Sequence, residues 1–262
     1  MKYNHNTNIS VLIITLNEES QMKALLADLD FADEIIVVDS FSTDNTEIIC
    51  KSFKKVKFIQ NRFENYSSQR NFAISQAKND WVLFLDADER LTTELKKEIL
   101  FTIKNNLTYA AFLFPRTFMF ENKVLHFSGN QSDKIFRLFH KNHAEYTSDR
   151  LIHEKLNVDG KIGIFKSKLT HYSYTNYESY KSKIVRYGKL KAQEKFNKKQ
   201  KPSYLFLLFH PVYNFLYNYF VRFGFLDGKK GVVICYLNAY CIQIRYKELQ
   251  QLWNKRQPLS PK

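Results

Sequence analysis

The chain has 262 residues, of which 44% are hydrophobic and 16% aromatic, with only five prolines and seven glycines. That is enough to bury a full core in one large domain, or in a domain plus an appendage, and it excludes disordered and fibrous classes. Forty basic residues face twenty-six acidic ones, a net charge of +14 that suits a polyanionic partner: nucleic acid, an anionic membrane surface or a phosphorylated substrate.

The first eight residues are polar and lead directly into a strand, so no export signal is read and a cytoplasmic protein is expected. Ile9 to Thr15 is a β-branched apolar run that breaks at Leu16-Asn17-Glu18-Glu19 into a helix reaching about Leu29. A second strand, Glu34 to Val38, ends at Asp39, and Ser42-Thr43-Asp44-Asn45-Thr46 supplies cap residues for a helix through Lys51. Val56 to Ile59 reads as a third strand and Ser67 to Gln76 as a helix. Trp81 to Leu85 is an uninterrupted apolar run, as in a strand covered on both faces. Strands alternating with short helices imply βαβ units and an α/β fold with a mostly parallel, Rossmann-like sheet flanked by helices. The three cysteines, Cys50, Cys235 and Cys241, are odd in number and lie in apolar surroundings, against a disulfide framework or zinc site and in favour of a reducing compartment.

Ligands of such sheets collect at the carboxyl ends of the strands, and polar residues fall there. Asn17 and Glu18 follow the first strand, Asp39 ends the second, and Asp86 and Asp88 end the fourth. Ser42, Thr43 and Asp44 offer caps of their own, which leaves Asp39 free for a ligand. If strand geometry persists through Asp86-Ala87-Asp88, both carboxylates point the same way and can share one hard divalent cation that bridges a diphosphate. The alternative is an acidic loop in which Asp88 or Glu89 charges the first turn of a helix beginning near Leu91. Neither GxGxxG nor GxxxxGK[ST] occurs, so metal and basic side chains must handle phosphate.

Four segments, Ile14 to Glu19, Val37 to Thr46, Gln69-Arg70-Asn71 with Ala73, and Phe84 to Glu89, together resemble the family 2 glycosyltransferases of GT-A fold, which transfer a sugar from a nucleotide diphosphate with inversion. The resemblance implies that Thr15, Asn17 and Asp39 line a nucleoside pocket and that Arg70 lies near the base or phosphates. It also implies that Asp86 and Asp88 serve the ribose and a metal, Mg²⁺ or Mn²⁺. Gln69 is expected on a solvated helix face. Asp133 to Phe139, Leu151 to Glu154, Leu169 to Tyr174, and Gly224 to Gly228 with Gly231 are similar to the lipopolysaccharide-core branch of that family, which includes β-1,4-glucosyltransferases. The donor expected is a UDP-hexose.

Displacing a diphosphate with inversion needs a base on the face opposite the leaving group. Glu154, beside His153 as an orienting partner, is the candidate, with Asp133 or Asp149 as substitutes. His171, ending a strand, is either a third metal ligand, a phosphate donor or a core histidine. Nine basic residues between Lys181 and Lys201 are opposed only by Glu194, and the aromatic stretch Tyr204 to Phe220 that follows is broken by His210, Pro211, Asn214 and Asn218. That pattern falls short of a spanning helix and fits an element lying on an anionic leaflet, although a plain hydrophobic hairpin would also produce it. The expected organisation is a glycosyltransferase domain over 1–175, with a nucleotide-sugar half over 1–100 and an acceptor half after it. A helical, membrane-facing appendage over 176–262 completes it. The expected activity is transfer to a lipid-attached saccharide at the inner face of the cytoplasmic membrane; a polyprenyl-linked or capsular glycan is the alternative acceptor. A nucleic-acid-binding protein, or a nucleotide-sugar binder without catalysis, is the alternative of another class. No nucleic-acid motif is present, and the strand-end acids count against nucleic acid.

Overall fold

The computed structural model describes residues 8–105, 108–121, 123–129, 133–147, 155–174 and 176–256. The first half alternates strand and helix: β1 (Ile9–Thr15), α1 (Glu19–Ala27), β2 (Glu34–Asp39), α2 (Thr46–Lys51), β3 (Val56–Gln60), α3 (Tyr66–Ser75) and β4 (Trp81–Leu85). A short strand β5 (Glu89–Leu91) and helix α4 (Thr93–Asn105) follow, then β6 (Tyr109–Phe120), β7 (Lys123–Leu125), β8 (Lys134–His140), β9 (Ala144–Thr147), β10 (Lys155–Val158), β11 (Lys161–Ile164) and β12 (Leu169–Tyr174). The C-terminal part is helical: α5 (Tyr177–Asn197), α6 (Tyr204–Leu216), a π turn over Tyr217–Val221, a 3₁₀ turn over Gly224–Asp227 and α7 (Gly228–Arg256).

The main sheet runs in the order β3-β2-β1-β4-β8-β6. Pairings β3–β2, β2–β1 and β1–β4 are parallel, and β8 turns the sheet antiparallel against both β4 and β6. Strand β4 is apolar at every position, and β1 and β2 are apolar over most of their length, because both faces are covered. Ile9, Val11, Ile13, Leu83 and Leu85 face a core shared with Met22 and Leu25 of α1 and Leu95 and Ile99 of α4. Leu12, Ile36, Val38, Val82 and Phe84 face a second core with Ala73 of α3, Phe139 and Tyr146. The chain leaves β1 toward β2 and β3 and then crosses back to β4, so the order reverses beside β1. A crevice for ligands opens at such a reversal, outside the carboxyl ends of the strands.

Two compact units are present. Among the described residues the first comprises 8–117, 133–147 and 155–172, and the second 118–129 and 173–256. In the second unit α5 buries Tyr180, Ile184, Gly188 and Ala192, one residue per turn. The hairpin of Phe118–Phe120 with β7, which the sequence places in the acceptor half, packs here through Phe120 and Leu125 onto Tyr180, Ile184 and Ile234.

The Gly224-to-Gly231 motif is structural. Buried Asp227 accepts hydrogen bonds from the backbone N–H groups of His126 and Phe127, both at 3.0 Å, and from the Ser128 hydroxyl at 3.2 Å. Gly228 takes a φ of +65°, and a Cβ on Gly231 would sit 1.9 Å from the Gly224 carbonyl oxygen. Because backbone cannot give way as a side-chain end can, Gly231→Ala is expected to cost about 1–3 kcal/mol, read as a lowered urea midpoint at unchanged slope. An unchanged midpoint would show that the turn is free to move.

All three cysteines are free and buried. No helix among the described residues is long and apolar enough to cross a membrane.

Candidate active site

Two loops interlock at the carboxyl ends of β1 and β2. Asn17, with a φ of +56°, donates its N–H to the Ser42 hydroxyl at 2.8 Å and accepts from the Thr43 N–H on its side-chain oxygen at 2.8 Å. The Glu18 N–H reaches the Thr46 hydroxyl at 2.9 Å, and Glu19 accepts from the Asn45 backbone at 3.0 Å. Asp39 pairs in register with Thr15, and its buried carboxylate accepts from the Ser42 N–H at 2.8 Å and from the Ser42 hydroxyl. The cap residues therefore do not leave Asp39 free, because Ser42 uses it as its acceptor. The Thr15 hydroxyl is buried without a hydrogen-bond partner. Phe41, 55% exposed, stands beside Asp39 in left-handed backbone, φ +63°. That conformation costs a bulky residue of order 1–3 kcal/mol and marks functional sites more often than others.

At the end of β4 the strand geometry does not persist. The Glu89 N–H donates to the Asp86 carbonyl at 3.0 Å, closing a turn that sends the two carboxylates to different partners. Asp86 takes Arg70 Nη2 at 2.9 Å and Arg137 Nη2, and Arg137 also reaches Glu89 Oε1 at 2.8 Å. Arg116 continues the series, 3.7 Å from Glu89 and 2.5 Å from Asp133. Three carboxylates thus alternate with three guanidiniums. Burial opposes the Asp86 charge, but Arg137 and Arg70 outweigh it and hold the carboxyl well below the usual carboxylate range. Burial likewise opposes the Arg137 charge, and Asp86 and Glu89 raise its pKa further still. Arg70 lies in the core, its guanidinium 4.4 Å from the centre of the Phe84 ring and 5.4 Å from that of Tyr146.

Gln69 is fully buried rather than solvated, bonded to the Asn61 amide at 2.8 Å and the Ser40 hydroxyl at 3.1 Å. The reason is register: α3 packs against the ends of β1 and β2 and presents this face to the sheet.

Asp88 is held separately. β5 pairs antiparallel with β12, placing His171 opposite Glu89, and His171 Nε2 lies 3.2 Å from Asp88 Oδ2. Arg90 pins the turn by donating to the carbonyls of Ala87 at 2.7 Å and Gln21 at 2.9 Å. The side chains of Asp88 and His171 are 27% and 14% exposed. Two donors each about 2.1 Å from one ion and at right angles to it stand about 3 Å apart, so this pair has the separation of adjacent ligands. Among the described residues no group of three or more His, Cys, Asp and Glu converges on one point. If these two side chains held a cation, water and phosphate oxygens would supply further ligands, as they commonly do for Mg²⁺ with a diphosphate.

Glu154, His153 and Asp149 lie outside the described residues. Asp133, the other substitute base, is engaged by Arg116. Arg137 and Arg116 had no role assigned from sequence, and Glu89 was expected only as an acid charging the first turn of a helix. The signal that could have found Arg137 is a lone arginine inside the apolar strand pattern Ile135-Phe136-Arg137-Leu138-Phe139, a buried charge that must have a partner.

Residues 10–173 match the model of glycosyl transferase family 2. An uncharacterized glycosyltransferase of Rickettsia bellii (strain RML369-C) is 31% identical over 255 residues, spanning 93% of this chain and 86% of the relative. The lipopolysaccharide core biosynthesis glycosyltransferase LpsC of Rhizobium meliloti (strain 1021) is 26% identical over 257 residues, 91% of this chain and 93% of its own. Among solved structures, S. aureus TarS 1-349 in complex with UDP-GlcNAc aligns over 96% of this chain and 93% of its own, with 17% identity and a TM-score of 0.48. The chain belongs to glycosyl transferase family 2, a transferase of GT-A fold with C-terminal helices.

Proposed function

We propose that the chain moves a hexose from a nucleotide diphosphate, with UDP-hexose the first donor to test, to a saccharide carried on a membrane lipid such as lipopolysaccharide core. Transfer inverts the anomeric carbon and uses a divalent cation, Mg²⁺ or Mn²⁺. The observation that carries this reading is the Asp88–His171 pair, 3.2 Å apart at the end of β4 in a family 2 chain. A cation there would neutralise the diphosphate as it leaves. Asp86, expected as a second ligand, serves instead by fixing the buried Arg70 guanidinium at the end of β4. The unpartnered Thr15 hydroxyl, the Asn17–Glu18 loop and Asp39 form the nucleoside side of the crevice.

Two observations support a lipid-attached acceptor. The relative LpsC carries a lipopolysaccharide-core name and aligns along most of both chains. Eight of the thirteen residues of α6 are large hydrophobics at least 46% exposed, and none of its residues is buried. Exposed apolar surface of this extent marks an interaction site, and with the neighbouring lysines it fits a peripheral protein on an anionic leaflet. The test is a panel of nucleotide sugars assayed for release of nucleoside diphosphate with membrane extract; release with none of them would overturn the reading.

Glu154 is proposed as the base that deprotonates the acceptor hydroxyl, with His153 orienting it. Glu154→Gln keeps the shape and removes the basicity, so kcat should fall about 10²-fold or more while donor affinity holds. Loss of donor binding with kcat retained would make Glu154 a ligand residue.

A further inference from the structure

Between residues 176 and 256 the sequence places sixteen lysines and arginines against four acidic residues, a surplus of twelve out of the chain's fourteen. Most of these cations stand on solvated helix faces. Lys191 of α5 and Arg245 of α7 instead line a cavity of about 280 Å³ together with Asn214, Asn218 and Asn238. Ile184 and Ile242 form its apolar wall.

No carboxylate balances these cations. Of the four acids, Glu194 is engaged by Lys198 at 2.8 Å and Asp227 by the 126–128 backbone and Ser128 hydroxyl, and no ion pair joins Lys191 or Arg245 to an acid among the described residues. Arg245 Nε is buried without a hydrogen-bond partner. Asn238 accepts from the Tyr180 hydroxyl at 3.0 Å on its oxygen, which turns its amide toward a donor role. The neighbouring Lys195 has only neutral partners, the Gln200 side chain at 2.8 Å and the Tyr246 ring at 5.9 Å. Burial and then the Arg245 charge push the pKa of both Lys195 and His210 down, and at Lys195 the nearby Glu194 only partly opposes the shift. Two like charges sharing a partly desolvated pocket are costly, and a bound anion reverses the sign.

We propose that this cavity between α5, α6 and α7 is a binding site for the phosphate of an anionic membrane lipid, gripped by Lys191, Arg245 and the Asn238 amide. A phosphate presents several acceptor oxygens to donors converging from two helices, and a guanidinium beside an ammonium is a strong donor set for it. A lipid, rather than a free anion, follows from the exposed apolar residues of α6, whose Asn214 also lines the cavity. The site rests on the membrane reading above and gives it a specific headgroup contact.

The experiment is co-sedimentation of the full chain with phosphatidylcholine vesicles, with and without phosphatidylglycerol. Three chains are compared: the natural one, Lys191→Gln/Arg245→Gln, and Lys198→Gln/Lys199→Gln, which removes the same charge from exposed positions. The cavity pair is expected to lose about tenfold more affinity for the anionic vesicles than the exposed pair, since only it loses charge-assisted hydrogen bonds. Equal losses would overturn the proposal in favour of a diffuse basic surface. A second measurement uses inorganic phosphate as probe: millimolar phosphate should raise the melting temperature of the natural chain above that in chloride of equal ionic strength, and not that of the cavity pair. Phosphate stabilisation without any preference for anionic vesicles would assign the cavity to a soluble anion and overturn the lipid assignment. Lys191→Arg, which keeps the charge, should retain vesicle binding; its loss would mean that the cavity pair acts through folding. Vesicle binding that vanishes as the chain self-associates would give α6 to a second copy and overturn the proposal. Donor binding, measured without vesicles, should match in all three chains, so a failure of the lipid site is separable from a failure of the transferase reading.

Discussion

Asp88→Asn is expected to lower turnover about 10³-fold, the loss that follows when a cation worth several kcal/mol to the departing diphosphate is no longer held. Asparagine keeps the shape and the contact with His171 Nε2 but gives up the charge. Without it, the binding of Mn²⁺ in the presence of UDP should weaken, as titration calorimetry would report. Asp86→Asn provides the internal comparison. Since Asp86 is held by Arg70 and Arg137, its replacement should lower stability and donor affinity more than affinity for Mn²⁺. His171→Ala should weaken Mn²⁺ binding less than Asp88→Asn, because Asp88 keeps its charge. Full activity in excess chelator would sink the metal assignment, and equal loss of Mn²⁺ affinity in the Asp86 and Asp88 variants would return Asp86 to the ligand set.

Local pattern made the first half of the fold legible. The strand at Trp81–Leu85 has the bounds its apolar run predicts, and β1 ends at Thr15 as expected. Each of these strands is apolar at successive positions because helices cover both faces, and that constraint is written residue by residue. The end of β4 was less legible for a physical reason. Whether Asp86 and Asp88 share a direction depends on the turn closed by the Glu89 N–H and on β5, three residues long and formed only because β12 arrives about 80 residues later. No local periodicity encodes that pairing, and so none encodes the meeting of His171 with Asp88. Gln69 fails the same way. It lies in a polar helical segment, and only the approach of Ser40 and Asn61 from the sheet ends makes its burial favourable. The helix expected near Leu91 starts at Thr93, with Glu89 withdrawn into the core by Arg137.

The second large effect is expected at Arg137, a positioning residue that fixes Asp86 and Glu89 together. Its side chain is 1% exposed and that of Glu89 is fully buried. Arg137→Met leaves the Glu89 carboxylate in the core with Arg116 at 3.7 Å as its remaining cation, and breaking a buried pair from one side typically costs about 3–5 kcal/mol. Urea unfolding at neutral pH should show a loss of that size. Adding Glu89→Gln should recover part of it, because the amide removes a buried charge left with only the more distant Arg116. The pH dependence has a definite sign. The folded-state pKa of Asp86 is depressed, so its ion pairs contribute stability above the ordinary carboxyl value of 3.8, and the contribution is lost as pH falls through the lower folded value. In Arg137→Met the depression shrinks, since Arg70 is then the one guanidinium among the described residues still bonded to Asp86. The gap in stability between the natural chain and the variant should therefore be widest near neutrality and narrow below about pH 4. A gap that stays constant across that range would mean that Arg137 stabilises the fold by packing alone, and a variant as stable as the natural chain at pH 7 would remove the ion-pair series from the account of this site.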